Sequence, residues 1–129
     1  MTTLLLDTHA LIWWWLDDPQ LSKTARKAME SDTNRIVVSS VNVYEIANKH
    51  RLGRLPALGE ILSDLDNAID DAGFARLSLS TRHTLRAGLL RGDHRDPFDR
   101  MIAAQGLIEQ MTVVTRDRAI AAFGCEVLW

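Results

Sequence analysis

The stretch TLLLDTHALIWWWL, residues 3–16, decides the fold. Thr3 to Leu6 read as a short buried strand that ends at Asp7, and residues 8–16 read as a helix. The passage from strand to helix recurs along the chain. RIVVSS (35–40) is a β-branched strand stopped by two serines, and Ser39 or Ser40 can cap the helix VNVYEIANKHRLG (41–53) that follows. FARLSLS (74–80) alternates as a strand and precedes the helix TRHTLRAGLL (81–90). MTVVT (111–115) precedes a short helix from about Asp117 to Phe123, and CEVLW (125–129) closes the chain as a strand. Two further helices are expected over PQLSKTARKAMES (19–31) and LGEILSDLDNAIDDAG (58–73), and another starts at Pro97. Strands alternating with helices predict an α/β fold with a parallel sheet, as a single domain over residues 1–129.

Composition narrows the function classes. With 47% hydrophobic and 25% charged residues the chain reads as an ordinary globular protein able to bury a core. The single cysteine, Cys125, excludes an intramolecular disulfide and a cysteine-based zinc cluster. Residues 1–16 lack a basic leader and are interrupted by Asp7 and His9, and no apolar run reaches bilayer length, so the expectation is a cytoplasmic protein with no membrane partner. The net charge of −2 does not by itself announce a nucleic-acid binder. Its distribution says more: arginine outnumbers lysine 12 to 3, eight of the arginines fall between Arg76 and Arg118, and Lys49, Arg51 and Arg54 form a short basic run. Arginine suits bidentate phosphate contacts, and equally serves surface ion pairs.

HRDPFDRMIAAQ (94–105) places Asp96 and Asp99 around a Pro-Phe pair at the mouth of a helix. Proline is favoured at the first helical position, which makes Asp96 the N-cap. Asp99 then falls in the first turn, where the helix dipole favours an acid. Asp7 and Asp117 each follow a strand, and Glu45 lies early in the helix after RIVVSS. Ligands of open parallel sheets bind beyond the carboxyl ends of the strands. Each acid alone has a capping explanation. Four of them at one rim would repel unless a hard divalent cation neutralised them.

The blocks LLLDTHALIW, SSVNVYEIANK, HRDPFDRMIAAQ and VVTRDRAI, taken together and in order, resemble the four acidic blocks of PIN-domain ribonucleases, most closely the VapC-type toxins of toxin–antitoxin pairs. The resemblance covers nearly the whole chain. It implies a PIN-like three-layer α/β fold, a central mainly parallel sheet flanked by helices. It implies a Mg2+-dependent endoribonuclease, with Mn2+ as the other candidate ion, acting on an RNA substrate. It also implies a homodimer held inactive by a VapB-like antitoxin. Carried over residue by residue, it makes Asp7, Glu45, Asp99 and Asp117 the catalytic, metal-binding acids, and Asp96 the additional aspartate of the DPFDR form. Asp7 and Asp99 are then the most direct ligands, while Glu45 and Asp117 complete the shell or orient the nucleophile. Thr8 and Thr115 are candidates to hydrogen-bond a metal water or a phosphate oxygen, and Arg100 and Arg116 candidates to grip phosphates.

A rival reading is a metal-dependent phosphatase or receiver-like phosphotransfer domain, also α/β with an acidic rim. A receiver would carry a lysine after a late strand, and no lysine occurs beyond Lys49. The four histidines form no metal pattern; His9 reads as packed or capping, and His94 as loop surface. The run Trp13-Trp14-Trp15 cannot share one buried helix face, because successive helical positions point about 100° apart. At least one of the three is expected to be exposed or covered by a partner, while Trp129 is expected to pack.

Overall fold

The computed structural model describes residues 2–129. Strands β1 (Thr3–Leu6), β2 (Arg35–Ser39), β3 (Ala75–Leu77), β4 (Thr112–Val114) and β5 (Val127–Leu128) form one sheet in the order β3-β2-β1-β4-β5. Every neighbouring pair is parallel. The helices are α1 (Thr8–Trp15), α2 (Lys23–Glu30), α3 (Ser40–Arg51), α4 (Gly59–Ser63), α5 (Leu65–Asp71), α6 (Thr81–Leu89), α7 (Pro97–Glu109) and α8 (Arg118–Ala122). None of them is long and apolar enough to cross a membrane.

The period of two along the strands builds the layers. Leu4, Leu6, Ile36, Val38 and Val114 point to one face, where they meet Ala10, Leu11, Ala25, Met29, Ile46 and Ile69 from α1, α2, α3 and α5. Leu5, Val37 and Val113 point to the other, against Ile102 and Ala103 of α7 and Ile120 of α8. Because both faces are covered, β1 is an uninterrupted apolar run rather than an alternating one. This is the expected three-layer α/β arrangement.

The differences from the expected elements have local causes. The helix expected over 58–73 is broken at Asp64, whose φ of −140° leaves the helical region. The Ser63 hydroxyl donates to the Glu60 carbonyl (2.7 Å) and Asn67 donates to the Asp64 carboxylate (2.8 Å), local bonds of the kind that compete with the helical ladder. β3 covers only three of the seven residues of FARLSLS. Beyond Leu77 the backbone turns to side chains instead: the Leu79 N–H donates to Ser40 Oγ (2.9 Å) and the Ser78 carbonyl accepts from Gln105 (3.5 Å). The tryptophans differ as well. None of the three is exposed, since Trp13 is buried against Trp129 (ring centroids 5.8 Å apart), and Trp14 and Trp15 are half-buried against the same core. Phe74 and the Arg26 guanidinium lie against Trp14, and both Trp14 and Trp15 keep part of their surface open.

α7 runs against the sheet through small residues, Ala103, Ala104 and Gly106, all buried. A Cβ at Gly106 would stand 2.8 Å from Val113 Cγ2, in the middle of the sheet. Val113 is fully buried and β-branched, so it cannot swing away. Gly106→Ala is therefore expected to lower stability by on the order of 1 kcal/mol, overpacking outweighing the gain in helix propensity. Urea unfolding checks it, and a more stable variant would show that the helix can back off the sheet.

Candidate active site

The sheet reverses direction of growth at β1: β2 and β3 add on one side, β4 and β5 on the other. The crevice of a doubly wound sheet opens at such a point, outside the carboxyl ends of the strands. Asp7 follows β1 and Asp117 lies just past β4, so the switch point is flanked by two acids. The register Leu6↔Val114 and the bond from Asp7 N to Val114 O (3.1 Å) bring the two strand ends together.

Each acid is also a cap. Asp7 accepts from Ala10 N (2.8 Å) at the start of α1, and Asp117 from Ala119 N (2.8 Å) at the start of α8. Asp96 accepts from Phe98 N (2.9 Å) and, at 3.4 Å, from Asp99 N, as the N-cap of α7. Pro97 occupies the first helical position, so Asp99 is delivered in the first turn, facing Asp117. The caps and the candidate site thus lie together, because the helix starts are where the sheet's rim is.

Electrostatics set Asp7 and Asp99 apart from ordinary surface acids. Burial pushes the Asp7 carboxyl up, against hydrogen bonds from the Thr115 side chain and Ala10 N–H and the nearby His9, with the Asp117 charge adding to the rise. Burial likewise pushes Asp99 up to about 6, against its bond from His94, and the charges of Asp96 and Asp117 push further the same way. Among the described residues no lysine or arginine pairs with Asp7, Asp96, Asp99 or Asp117. A set of crowded, partly desolvated carboxylates whose one basic partner among the described residues is the His94 imidazole fits a divalent cation.

The expected residues separate into groups. His94, Asp99 and Asp117 each place one donor atom so that all three atoms lie within 4.8 Å of one another, a group that could hold a metal ion. Asp7 adjoins Asp117 through Thr115, whose side chain bonds Asp7 and whose Oγ1 also accepts from Asp117 N (2.9 Å). Glu45 is buried on α3 but bonded to Lys49 at 2.7 Å, outside the three-residue group. Thr8 is buried with its hydroxyl accepting from Asn42 (3.1 Å), which ties it into the scaffold. Arg100 gives its guanidinium to the carbonyls of Ala87 (3.0 Å), His94 (2.9 Å) and Leu90. Arg116 lies over the Trp13 ring at 4.5 Å. His9 is exposed, with its ring 5.3 Å from that of Trp13.

Three features are not legible in the one-dimensional reading. His94, expected on the loop surface, donates to or accepts from Asp99 Oδ2 at 2.8 Å through Nε2, inside the acidic group. The clue was its place just before the N-cap of the helix that carries Asp99. A groove of about 450 Å³ beside the acids is lined by Glu45, Lys49, Arg54, Arg95, Asp96 and Phe98, where the basic run on α3 meets the loop before α7. Asn42, fully buried, donates to Leu6 O (3.2 Å) and Thr8 Oγ1 (3.1 Å) and accepts from Ser39 N (2.9 Å), joining the ends of β1 and β2 to the start of α3.

The family model described as PIN domain matches residues 4–124. The chain belongs to the PIN domain family. A curated relative, Ribonuclease VapC22 of Mycobacterium tuberculosis, is 29% identical over 120 residues, 93% of this chain and 91% of the relative. Among solved structures, VapBC2 from Rickettsia felis bound to a promoter DNA fragment superposes with a TM-score of 0.72 at 18% identity, covering 98% of each chain. FitAcB from Neisseria gonorrhoeae gives 0.64 at 21% identity, over 98% of this chain and 96% of that one. A toxin–antitoxin complex from Klebsiella pneumoniae gives 0.63 at 19%, over 98% and 96%. These structural likenesses agree with the three-layer fold of the PIN domain, and the acids described above lie within the matched span.

Proposed function

We propose that this PIN domain is a metal-dependent endoribonuclease that acts as the toxin of a toxin–antitoxin pair. The observation that carries the reading is the group of His94, Asp99 and Asp117 at the switch point, with Asp7 joined to Asp117 through Thr115, no lysine or arginine paired to these acids, and Asp96 in the wall of a groove that Lys49, Arg54 and Arg95 also line. The similarity to a ribonuclease of the VapC type and to antitoxin-bound structures supports the same reading.

Asp7, Asp99 and Asp117 would hold a divalent ion, Mg2+ or Mn2+. Such an ion, when bound, activates a water and relieves charge on the leaving oxygen of a phosphodiester. The protein's own contribution is positional. Thr115 keeps Asp7 and Asp117 in fixed relation, and Asp96 aims the first turn of α7 so that Asp99 reaches them. Lys49 holds Glu45 at the wall of the groove, where a carboxylate can orient a water. Lys49, Arg54 and Arg95 replace Arg100 as the phosphate contacts, since Arg100 is already bonded to three carbonyls. The reading includes one domain, a homodimer, a VapB-like antitoxin as the partner that restrains the enzyme, and the cytoplasm as its place of action.

The test is RNA cleavage by the purified chain with Mg2+ or Mn2+, and again with chelator. Chelator-resistant cleavage, or none with either ion, would refute it. Within that assay Asp96→Asn is expected to keep cleavage within about threefold of the parent, because asparagine caps nearly as well as aspartate. A loss as deep as that of Asp99→Asn would make Asp96 a ligand.

A further inference from the structure

Arg100 lies one position after Asp99 on α7, and its guanidinium does not face a ligand. It bonds the carbonyls of Ala87, Leu90 and His94 at once and stacks over the Phe123 ring at 5.2 Å. These bonds tie the end of α6 and the loop after it to the helix that bears Asp99. The loop is also closely packed. Gly92 has a φ of +131°, and a Cβ there would stand 3.3 Å from the same Phe123 ring. The His94 ring meets that ring edge-on, 6.2 Å between centroids. The loop is thereby held so that His94 Nε2 reaches Asp99 Oδ2 at 2.8 Å and comes within 4.8 Å of an Asp117 oxygen.

We propose that His94 is a nitrogen ligand of the cation site formed with Asp99 and Asp117, and that it biases the site toward first-row transition ions such as Mn2+ over Mg2+. The proposal rests on the cation site inferred above and adds a donor to it. Two ligands at right angles on one ion, each about 2.1 Å away, stand about 3 Å apart. The His94–Asp99 separation matches that spacing, so an ion can bridge the two atoms without moving the loop. Imidazole binds first-row transition ions, Mn2+ the weakest of the series, more readily than Mg2+, which prefers oxygen and dehydrates reluctantly. A site with one nitrogen among carboxylates should therefore discriminate between ions that an all-carboxylate site would treat more alike.

The experiment uses the full chain, stripped with chelator and titrated with Mn2+, and reads the bound ion by pulsed electron paramagnetic resonance. Nitrogen-14 modulation is expected from the parent protein and is expected to vanish in His94→Phe. In the same variant Mn2+ affinity by calorimetry should fall by about tenfold, and Mg2+ affinity should change by about threefold or less. Bound Mn2+ in the parent without nitrogen modulation would overturn the proposal while leaving the carboxylate site standing. Mn2+ binding that survives unchanged in Asp99→Asn would remove the carboxylate site itself, and with it both readings. The parent's spectrum decides the matter even if His94→Phe folds poorly.

Discussion

Asp99→Asn is expected to lower metal-dependent RNA cleavage at least about 100-fold, since partners one shell removed from a metal are alone worth 10–100-fold. The same change is expected to leave the metal-free protein at least as stable at neutral pH. Burial, together with Asp96 and Asp117, raises Asp99 to about 6, well above its value in an unfolded chain. A carboxyl with a raised folded-state pKa takes up protons in the native state between about pH 4 and 6 while the unfolded chain has lost them. The metal-free parent therefore loses stability as pH rises through that window, and carries the full penalty above about 6. Its side chain is 24% exposed, so solvent reduces the cost to roughly 1–3 kcal/mol. His94, raised by its bond to Asp99, acts in the same direction, its contribution being lost as pH rises. Asparagine can still accept from the imidazole, so the fold keeps that bond while the charge goes.

Added cation offsets the penalty in the parent. An ion that binds only the native state stabilises it by about 2.7 kcal/mol at 100 times its dissociation constant. Thermal melts at pH 5 and pH 7, each with chelator and with millimolar Mn2+, are the measurement. The parent should gain from Mn2+ at pH 7 and, without metal, melt higher at pH 5 than at pH 7. Asp99→Asn should lose most of the gain from Mn2+ and part of the pH response, the buried Asp7 supplying the rest. Equal responses in the two proteins would mean that the acids are helix caps and nothing more.

Asn42→Ala is expected to cost about 3 kcal/mol, the largest loss from any single polar side chain considered. Asn42 has no exposed surface and serves three partners, Leu6 O, Thr8 Oγ1 and Ser39 N. Removing it strands a backbone donor and a backbone acceptor in a dry place, at about 1–3 kcal/mol each. The melting temperature should fall on the order of 10 °C. Asn42→Asp separates lost bonds from lost volume: it keeps the acceptor for Ser39 N but faces the Leu6 carbonyl with a second oxygen, so it should be no better than alanine. The partners of Asn42 flank Asp7 and cap the helix that carries Glu45. Cleavage should therefore weaken in both variants although Asn42 lines no part of the groove. A loss below about 1 kcal/mol would show that water replaces the amide.

The helix starts and the strand runs were readable because they are set by neighbours in sequence. Thr3–Leu6 is a strand in both readings, Pro97 and Asp96 mark the start of α7, and the alternation of strands with helices implies the parallel sheet. The candidate acids Asp7, Asp99 and Asp117 were equally readable, since a cap after a strand in a parallel sheet lies at the rim where ligands bind. What depended on distant contacts was not. β3 stops early because Gln105 and Ser40, remote in sequence, take its backbone groups. The side chains of Trp14 and Trp15 pack in part against residues from other elements. Arg100 and His94 exchanged their expected places: the arginine turned inward to carbonyls and the histidine reached the acids. A charged side chain's partner is whichever group the fold brings within about 3 Å, and hydrogen bonding at that range carries no signature in a linear spacing. Sequence by itself determined the sheet, the caps and the acidic rim, because backbone period and capping act over three or four residues. Only the tertiary structure decided which loop folds back onto that rim, because that choice is made by contacts across the whole chain.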